Sequence, residues 1–399
     1  MSVRTDNATG SGRPAVTIVS LKPYKTATRA RKSAMVYKEF ADVTLLTLSA
    51  AGRSGAVDEP GEFDRDGVRV VQADVGTLRQ DPTLRNHALN ILTGYAPGFG
   101  RLAWTLFSRK RDVVHTTGAP LFVLGWLDSK LYGTKWVADV TERPAAAPVG
   151  VSLMSVFSRI EPFALGLARD RAHTVISVCA GHADILRDRF GIEAPMSVRN
   201  APTRDWVCTD AVRPREAGSP LRLGIVSSIF ESRGFEQAIQ AVAIARRRGV
   251  DVTLDVYGPG RESYIGQLED LAQREGVADF VAFRGLVDSN KVSATYQQFD
   301  LALALYEATN EANDSLSNKI IEAVASGVPV LAGNLSENRR FLAEHDAGWA
   351  VPVTAEAIGE FVANLTEPEL ASKQASAQRE APLLRWETEF LPVAERVVR

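Results

Sequence analysis

The stretch NDSLSNKIIEAVASGVPVLAG, residues 313–333, sets a carboxylate, small polar residues and a lysine ahead of a Glu-led helix pattern, a glycine and a short apolar run. Asp314 and Glu322 stand eight residues apart, so they share a helix face only if the helix already runs at Asp314. A helix beginning near Ser317 leaves Asp314 on the loop above it. The run LALALY (301–306) precedes this loop and VPVLAG (328–333) follows the helix. Strand, loop, helix and strand in that order are the repeating unit of a parallel α/β layer.

The same rhythm extends both ways. Downstream of residue 220 the strand candidates are LRLGIVSS (221–228), VTLDVYG (252–258), FVAFRG (280–285), LALALY, VPVLAG and WAVP (349–352), with FEQAIQAVAIARRRG a helix ending at glycine. Upstream they are AVTIVSL (15–21), VTLLTL (43–48), VRVVQA (68–73), DVVHTT (112–117), KWVADVT (135–141), TVISVC (174–179) and MSVRNA (196–201). ARKSAMVYKEF and GHADILRDRF, lying between strands, carry apolar residues at helical spacing. Runs apolar on both faces and separated by helices indicate parallel sheets. The irregular, charged TRDWVCTDAVRPREAGSP divides the two series. The expected fold is therefore two α/β domains with a cleft between them. Their limits are 15–205, joined by the closing helix 376–399, and 206–375, after a flexible arm at 1–14.

Composition excludes several classes. The 399 residues, 45% hydrophobic and 24% charged, suit two or three full cores. No apolar run reaches the roughly 20 residues of a membrane span, and MSVRTDNATGSGRP lacks the apolar centre of a signal peptide. Cys179 and Cys208 make neither a disulfide framework nor a metal pair, and the five histidines are scattered. These features predict a cytoplasmic protein without a metal site or nucleic-acid partner. Residues 1–200 hold 26 Lys/Arg against 19 Asp/Glu and residues 201–399 hold 20 against 29, balances of +7 and −9. That asymmetry reflects either two solvated surfaces or a basic half facing an anionic partner such as a lipid phosphate.

In parallel sheets, ligands bind where strand ends lead into helix N-termini. The 313–319 loop has that position, and an anion is its natural guest. GIVSSIFESRGFEQAIQA, VYGPG, FRGLVDSNKVSATYQQFDLALAL and DSLSNKIIEAVASGVPVLAG resemble, in that order, the donor half of the retaining nucleotide-sugar glycosyltransferases of family 4. The upstream half, from DVVHTTGAPLFVLGWLDSKLYGTKWVADVTERP to RNAP, resembles their acceptor domain. The resemblance spans roughly residues 15–390 and implies the GT-B fold, two Rossmann-like domains with parallel sheets facing an interdomain cleft.

It also implies roles. Glu322 takes the position that accepts hydrogen bonds from the donor ribose, and Asp314, one methylene shorter than the family's Glu, the position that reads the donor sugar. Arg233 stands where the family has a diphosphate-binding lysine before glycine, and a second cation of the family falls on or near Ser227. Lys319, with the N–H groups near Ser317 and Asn318, meets the leaving diphosphate. Ser315, Ser228, Gly258, Gly285 and Leu286 complete the donor side. On the acceptor side stand Lys25, Arg29 and Arg31 of the first loop, with Asp139 and Thr141, the latter where members often have His. Glu142 either orients or deprotonates an acceptor hydroxyl, or pairs locally. His115 reads as packing.

Transfer with retention would use a UDP- or GDP-linked sugar as co-substrate, without metal or other cofactor. The acceptor would be a small molecule, glycan or lipid-linked sugar, with peripheral contact at the inner face of a membrane in the lipid case. Bacterial relatives of this motif style build cell-surface polysaccharides or decorate natural products. A sugar-nucleotide epimerase and a non-catalytic nucleotide-sugar-binding partner of another transferase are the alternatives. A dehydrogenase is disfavoured, because VSLKPYKTATRA lacks the G-x-G-x-x-G turn.

Overall fold

A computed structural model of the chain describes residues 12–51, 60–77, 96–144, 153–208, 215, 218–307 and 313–399. Residues 1–11 of the expected arm, and 209–214 and 216–217 of the expected linker, lie outside the described residues. The chain divides into two compact units. One comprises residues 1–177, 185–196 and 390–399, the other 178–184 and 197–389; two of the four divisions fall inside the helices Ala180–Phe190 and Trp386–Val398 and one inside the strand Met196–Ser197.

In the first unit the strands are β1 (Ala15–Ser20), β2 (Asp42–Ala51), β3 (Gly61–Arg65), β4 (Val68–Thr77), β5 (Val113–Thr117), β6 (Lys135–Val140) and β7 (Thr174–Ser177), with β8 (Met196–Ser197) at the division. They form one sheet in the order β3-β4-β2-β1-β5-β6-β7-β8. β1 pairs in parallel with β2 and β5, while β3 runs antiparallel to β4. The helices Ala96–Phe107, Phe122–Tyr132 and Leu153–Arg171 set Leu102, Leu106, Phe122, Leu124 and Leu165 into a core with Val114, Trp136 and Ala138.

The apolar alternation finds each of these strands except β3, whose sequence GEFDR has one apolar residue and an exposed backbone register. It is an edge strand kept polar, as free sheet edges usually are. Its signal is the turn: Asp66 and Gly67, both at positive φ (54° and 77°), join Arg65 to its partner Val68. An Asp-Gly pair is the common two-residue hairpin turn.

The second unit carries β9 (Leu221–Val226), β10 (Val252–Tyr257), β11 (Val281–Gly285), β12 (Leu301–Ala304), β13 (Val330–Gly333) and β14 (Gly348–Val351). All their pairings are parallel, in the order β11-β10-β9-β12-β13-β14. Both faces are buried. Phe235, Ile239, Val242 and Leu268 pack on one, from the helices Phe235–Arg247 and Glu262–Arg274. Ile320, Ile321 and Val324 of the helix Asn318–Ala325 pack on the other with Tyr296 and Phe299. Each such aliphatic side chain contributes roughly 1.5–3 kcal/mol on burial.

The order reverses between β9 and β12, and in the first unit between β1 and β5. Such a reversal splays the loops at the carboxyl ends of the two strands apart and opens a crevice there. It positions the loops after β9 and β12 for ligand binding.

Candidate functional site

Each loop at the β9/β12 switch point is held by local geometry. After β9 the chain turns tightly, with Ser232 and Gly234 both left-handed at φ 67° and 71°. Gly234 is required here: a Cβ would stand 2.6 Å from Leu305 Cβ and 2.7 Å from its carbonyl oxygen. Arg233, between them, donates from Nη1 to Ser227 Oγ. Its guanidinium carbon lies 3.9 Å from the Phe230 ring centre and 5.1 Å from that of Tyr306. Ser227, on or near which the resemblance sets a second cation, is the hydroxyl that receives Arg233. Ser228, beside it, is exposed.

Beyond β10, Gly258 packs backbone against backbone. A Cβ there would come within 1.9 Å of the Ser227 carbonyl oxygen, and its N–H donates to the Gly285 carbonyl at 2.8 Å. Gly285 is left-handed (φ 72°) and Leu286 is 77% exposed, an apolar side chain set on the strand end. These glycines draw the ends of β9, β10 and β11 together.

The opening stretch folds as its pattern predicts. Ser317 is the N-cap (φ −70°, ψ 130°), and its side chain accepts from the Lys319 N–H at 3.2 Å. Asp314 and Ser315 sit on the preceding loop, half-buried, and Asn318 is exposed at the first turn. Lys319 Nζ donates to Glu322 Oε2 at 2.9 Å, the side chains being 29% and 21% exposed. Four of the donor-side residues, Ser317, Asn318, Lys319 and Glu322, therefore share one helix start with its free N–H groups and partial positive charge.

One support of this loop has no counterpart in the sequence reading. Cys179 Sγ donates to the Asp314 carbonyl at 3.3 Å, and His182 Nε2 lies 3.0 Å from Ser315 Oγ. A Cβ on Gly181 would meet the Asp314 carbonyl at 2.6 Å. Burial pushes the Cys179 thiol up to about 11, which keeps it protonated and able to donate at neutral pH. These contacts join residues more than 130 positions apart. The small Gly181 between two hydrogen-bonding residues is the only local trace of them.

In the first unit, Asp139 is fully buried and accepts from Arg29 Nε at 2.8 Å. His115 Nε2 stands 3.6 Å from the same oxygen. Burial alone would raise the Asp139 pKa, but Arg29 and His115 outweigh it and hold the carboxyl below its usual range. Tyr37 and Phe390 enclose the group: His115 stacks on Phe390 at 5.8 Å, and Tyr37 meets both rings edge-on. Burial, then the Asp139 charge, drives the Tyr37 hydroxyl far above its ordinary value. Arg31 lies over Tyr24 (4.8 Å) and donates to the Lys25 carbonyl, while the Lys25 side chain is exposed. Thr141 and exposed Glu142 follow β6. The structure thus places Arg29 and Arg31 on the helix Thr28–Tyr37 and not on the first loop, pairs Arg29 with buried Asp139, leaves Arg31 half-buried, and sets Lys25 and Glu142 at the surface.

Comparison with known proteins agrees with both halves. A glycosyl transferase 4-like domain matches residues 27–200 and a glycosyl transferases group 1 domain matches residues 220–367. Phosphatidyl-myo-inositol mannosyltransferase of Mycolicibacterium smegmatis is 29% identical over 163 residues, 41% of this chain and 39% of that one. The chain spans between about a quarter and a half of the length of the curated relatives it matches (26–51%). Among solved structures, sucrose-phosphate synthase from Thermosynechococcus elongatus superposes with TM-score 0.67 at 14% identity, covering 96% of this chain and 98% of that one. An Anabaena protein in complex with UDP and glucose does so with TM-score 0.63 at 16% identity, covering 95% and 98%.

Two parallel-sheet α/β units in tandem, each with its order reversal, are the GT-B class of fold. The chain belongs to the glycosyltransferases, with a glycosyl transferase 4-like domain followed by a glycosyl transferases group 1 domain.

Proposed function

We propose that the protein transfers a sugar, with retention, from a UDP- or GDP-linked donor to an acceptor hydroxyl. The observation that carries this reading is the helix start at Ser317–Lys319 beside the β9/β12 switch point, where N–H groups, Lys319 and Glu322 collect. Arg233 sits on the other loop of the same switch point. The bond from the anomeric carbon to the diphosphate oxygen breaks as the acceptor oxygen bonds to that carbon, and the leaving oxygen takes the acceptor proton. Charge grows on the diphosphate, so fixed cations and N–H donors lower the barrier. Arg233 and Lys319 meet that charge, Glu322 accepts from the ribose, and Asp314 reads the sugar. No protein nucleophile is required.

UDP is supported by the structural relative that holds UDP and glucose, and GDP by a Mycobacterium tuberculosis relative whose name specifies a GDP-mannose-dependent enzyme. The acceptor is a small molecule, a glycan or a lipid-linked sugar; the phosphatidylinositol mannosyltransferase likeness supports the last. Incubation with UDP- and GDP-sugars and a panel of acceptors, read by release of the nucleoside diphosphate and by the anomeric configuration of the product, tests the proposal. An inverted product excludes retention. Interconversion of the donor sugar without any acceptor indicates an epimerase instead.

A further inference from the structure

Lys319 is committed to Glu322, whereas Arg233 makes no ion pair among the described residues. The groups recorded in contact with its guanidinium are uncharged: one hydroxyl, Ser227, and two rings, Phe230 at 3.9 Å and Tyr306 at 5.1 Å. An aromatic face attracts a guanidinium through its quadrupole without neutralising it. A carboxylate at the same place would hold the arginine equally firmly and cancel its charge. The backbone adds to the constraint, since Arg233 stands between two left-handed residues and Gly234 is pressed on Leu305. The guanidinium has five N–H donors, and its one hydrogen bond among the described residues goes to Ser227. The remaining donors are turned to no acceptor of these residues.

We propose that Phe230 and Tyr306 are positioning residues that clamp Arg233 as an uncompensated cation for the donor diphosphate. The proposal rests on the donor reading above. It accounts for a phenylalanine left 42% exposed on a loop, and gives Ser227 a part as the hydroxyl that anchors the arginine.

The test is calorimetric titration of the full chain with UDP and GDP, and with uridine and guanosine, in parallel. In the wild type the diphosphates bind more tightly than their nucleosides, and Arg233→Ala removes most of that difference. Phe230→Leu and Tyr306→Leu each lower diphosphate affinity about tenfold, leave nucleoside affinity unchanged, and leave the melting temperature within a few degrees of wild type. Tyr306→Phe and Phe230→Trp, which keep a ring, restore it. Equal diphosphate affinity in folded Phe230→Leu and Tyr306→Leu overturns the clamp while the donor reading stands. A wild type that fails to distinguish diphosphates from nucleosides overturns the donor reading and the clamp with it.

Discussion

Lys319 Nζ stands 2.9 Å from Glu322 Oε2, one turn apart on the helix that begins at Ser317. The groups proposed to meet diphosphate and ribose thus hold each other. An i,i+3 ion pair contributes only a few tenths of a kcal/mol to a helix, so a donor breaks it readily. Its consequence is for pre-organisation: each side chain restrains the other near the helix start.

Glu322→Ala is expected to weaken nucleoside binding by roughly 1–3 kcal/mol, the scale of a charged hydrogen bond. Nucleoside diphosphate binding should fall less, because the released Lys319 gains freedom to reach phosphate. Competition titrations with uridine, guanosine, UDP and GDP measure both. Unchanged nucleoside affinity in a folded variant removes the ribose assignment.

Arg233→Ala and Lys319→Ala should each lower donor turnover by about 10²-fold, since the charge they meet grows toward the transition state. Both residues are partly exposed, so stability should change by no more than about 0.5 kcal/mol. Initial rates and urea melts of the same preparations give the comparison. A loss of rate matched by an equal loss of stability would show a structural role instead.

Much of this arrangement is legible in sequence because it is local. The alternation of apolar runs and helix patterns locates thirteen strands, and the 313–333 pattern places its helix start and loop where the structure has them. What the sequence hides is carried by polar or distant groups. β3 escapes because an edge strand with one apolar residue has no periodic signature. The Cys179, Gly181 and His182 support of Asp314 and Ser315 escapes because a hydrogen bond across more than 130 residues leaves no spacing to read. The pairing of Lys319 with Glu322 is readable as i,i+3 spacing, but the aromatic setting of Arg233 needs Tyr306, some seventy residues away.

Gly181→Ala should disturb the sugar-side loop. The added methyl would stand 2.6 Å from the Asp314 carbonyl and 2.9 Å from Glu337 Cγ, and relieving such overpacking costs typically 1–3 kcal/mol. Because backbone is the nearer obstacle, Asp314 must shift. The expected signature is a rise in KM for the donor sugar together with unchanged affinity for the free nucleoside diphosphate. Wild-type KM with an unaltered melting curve would exclude the close approach.

Acid should act through the first unit. The Asp139 carboxyl is held below its unfolded value of about 3.9, so its contribution to stability is fully present above that value and is lost as pH falls through the folded pKa. As pH falls below about 4 the wild type should lose stability more steeply than Asp139→Asn, whose slope lacks this proton. At pH 7 the same variant should be roughly 3–5 kcal/mol less stable, because Arg29 keeps its charge in a buried place. Denaturant midpoints across that pH range provide the test, and parallel slopes would refute the linkage.

The acceptor decides whether the protein works at a membrane. In sequence, Arg109-Lys110-Arg111 after LAWTLF looks like a basic cluster beside exposed aromatics. In the structure Arg111 is buried against Asp128, and Arg109 pairs with Glu62 at 2.8 Å, which leaves Lys110 as the exposed charge of the three. Trp104 is 79% exposed, an apolar anchor of the kind interfaces favour, with exposed Arg101 one turn before it on the same helix but no larger exposed basic cluster from the 109–111 run. The expected result is weak co-sedimentation with phosphatidylserine-containing vesicles at low salt, lost at about 0.15 M where screening is strong. Retention at that salt, abolished by Trp104→Ala, would overturn this expectation and make a lipid-linked acceptor the working choice. Loss of binding directs the acceptor search to soluble hydroxyl compounds.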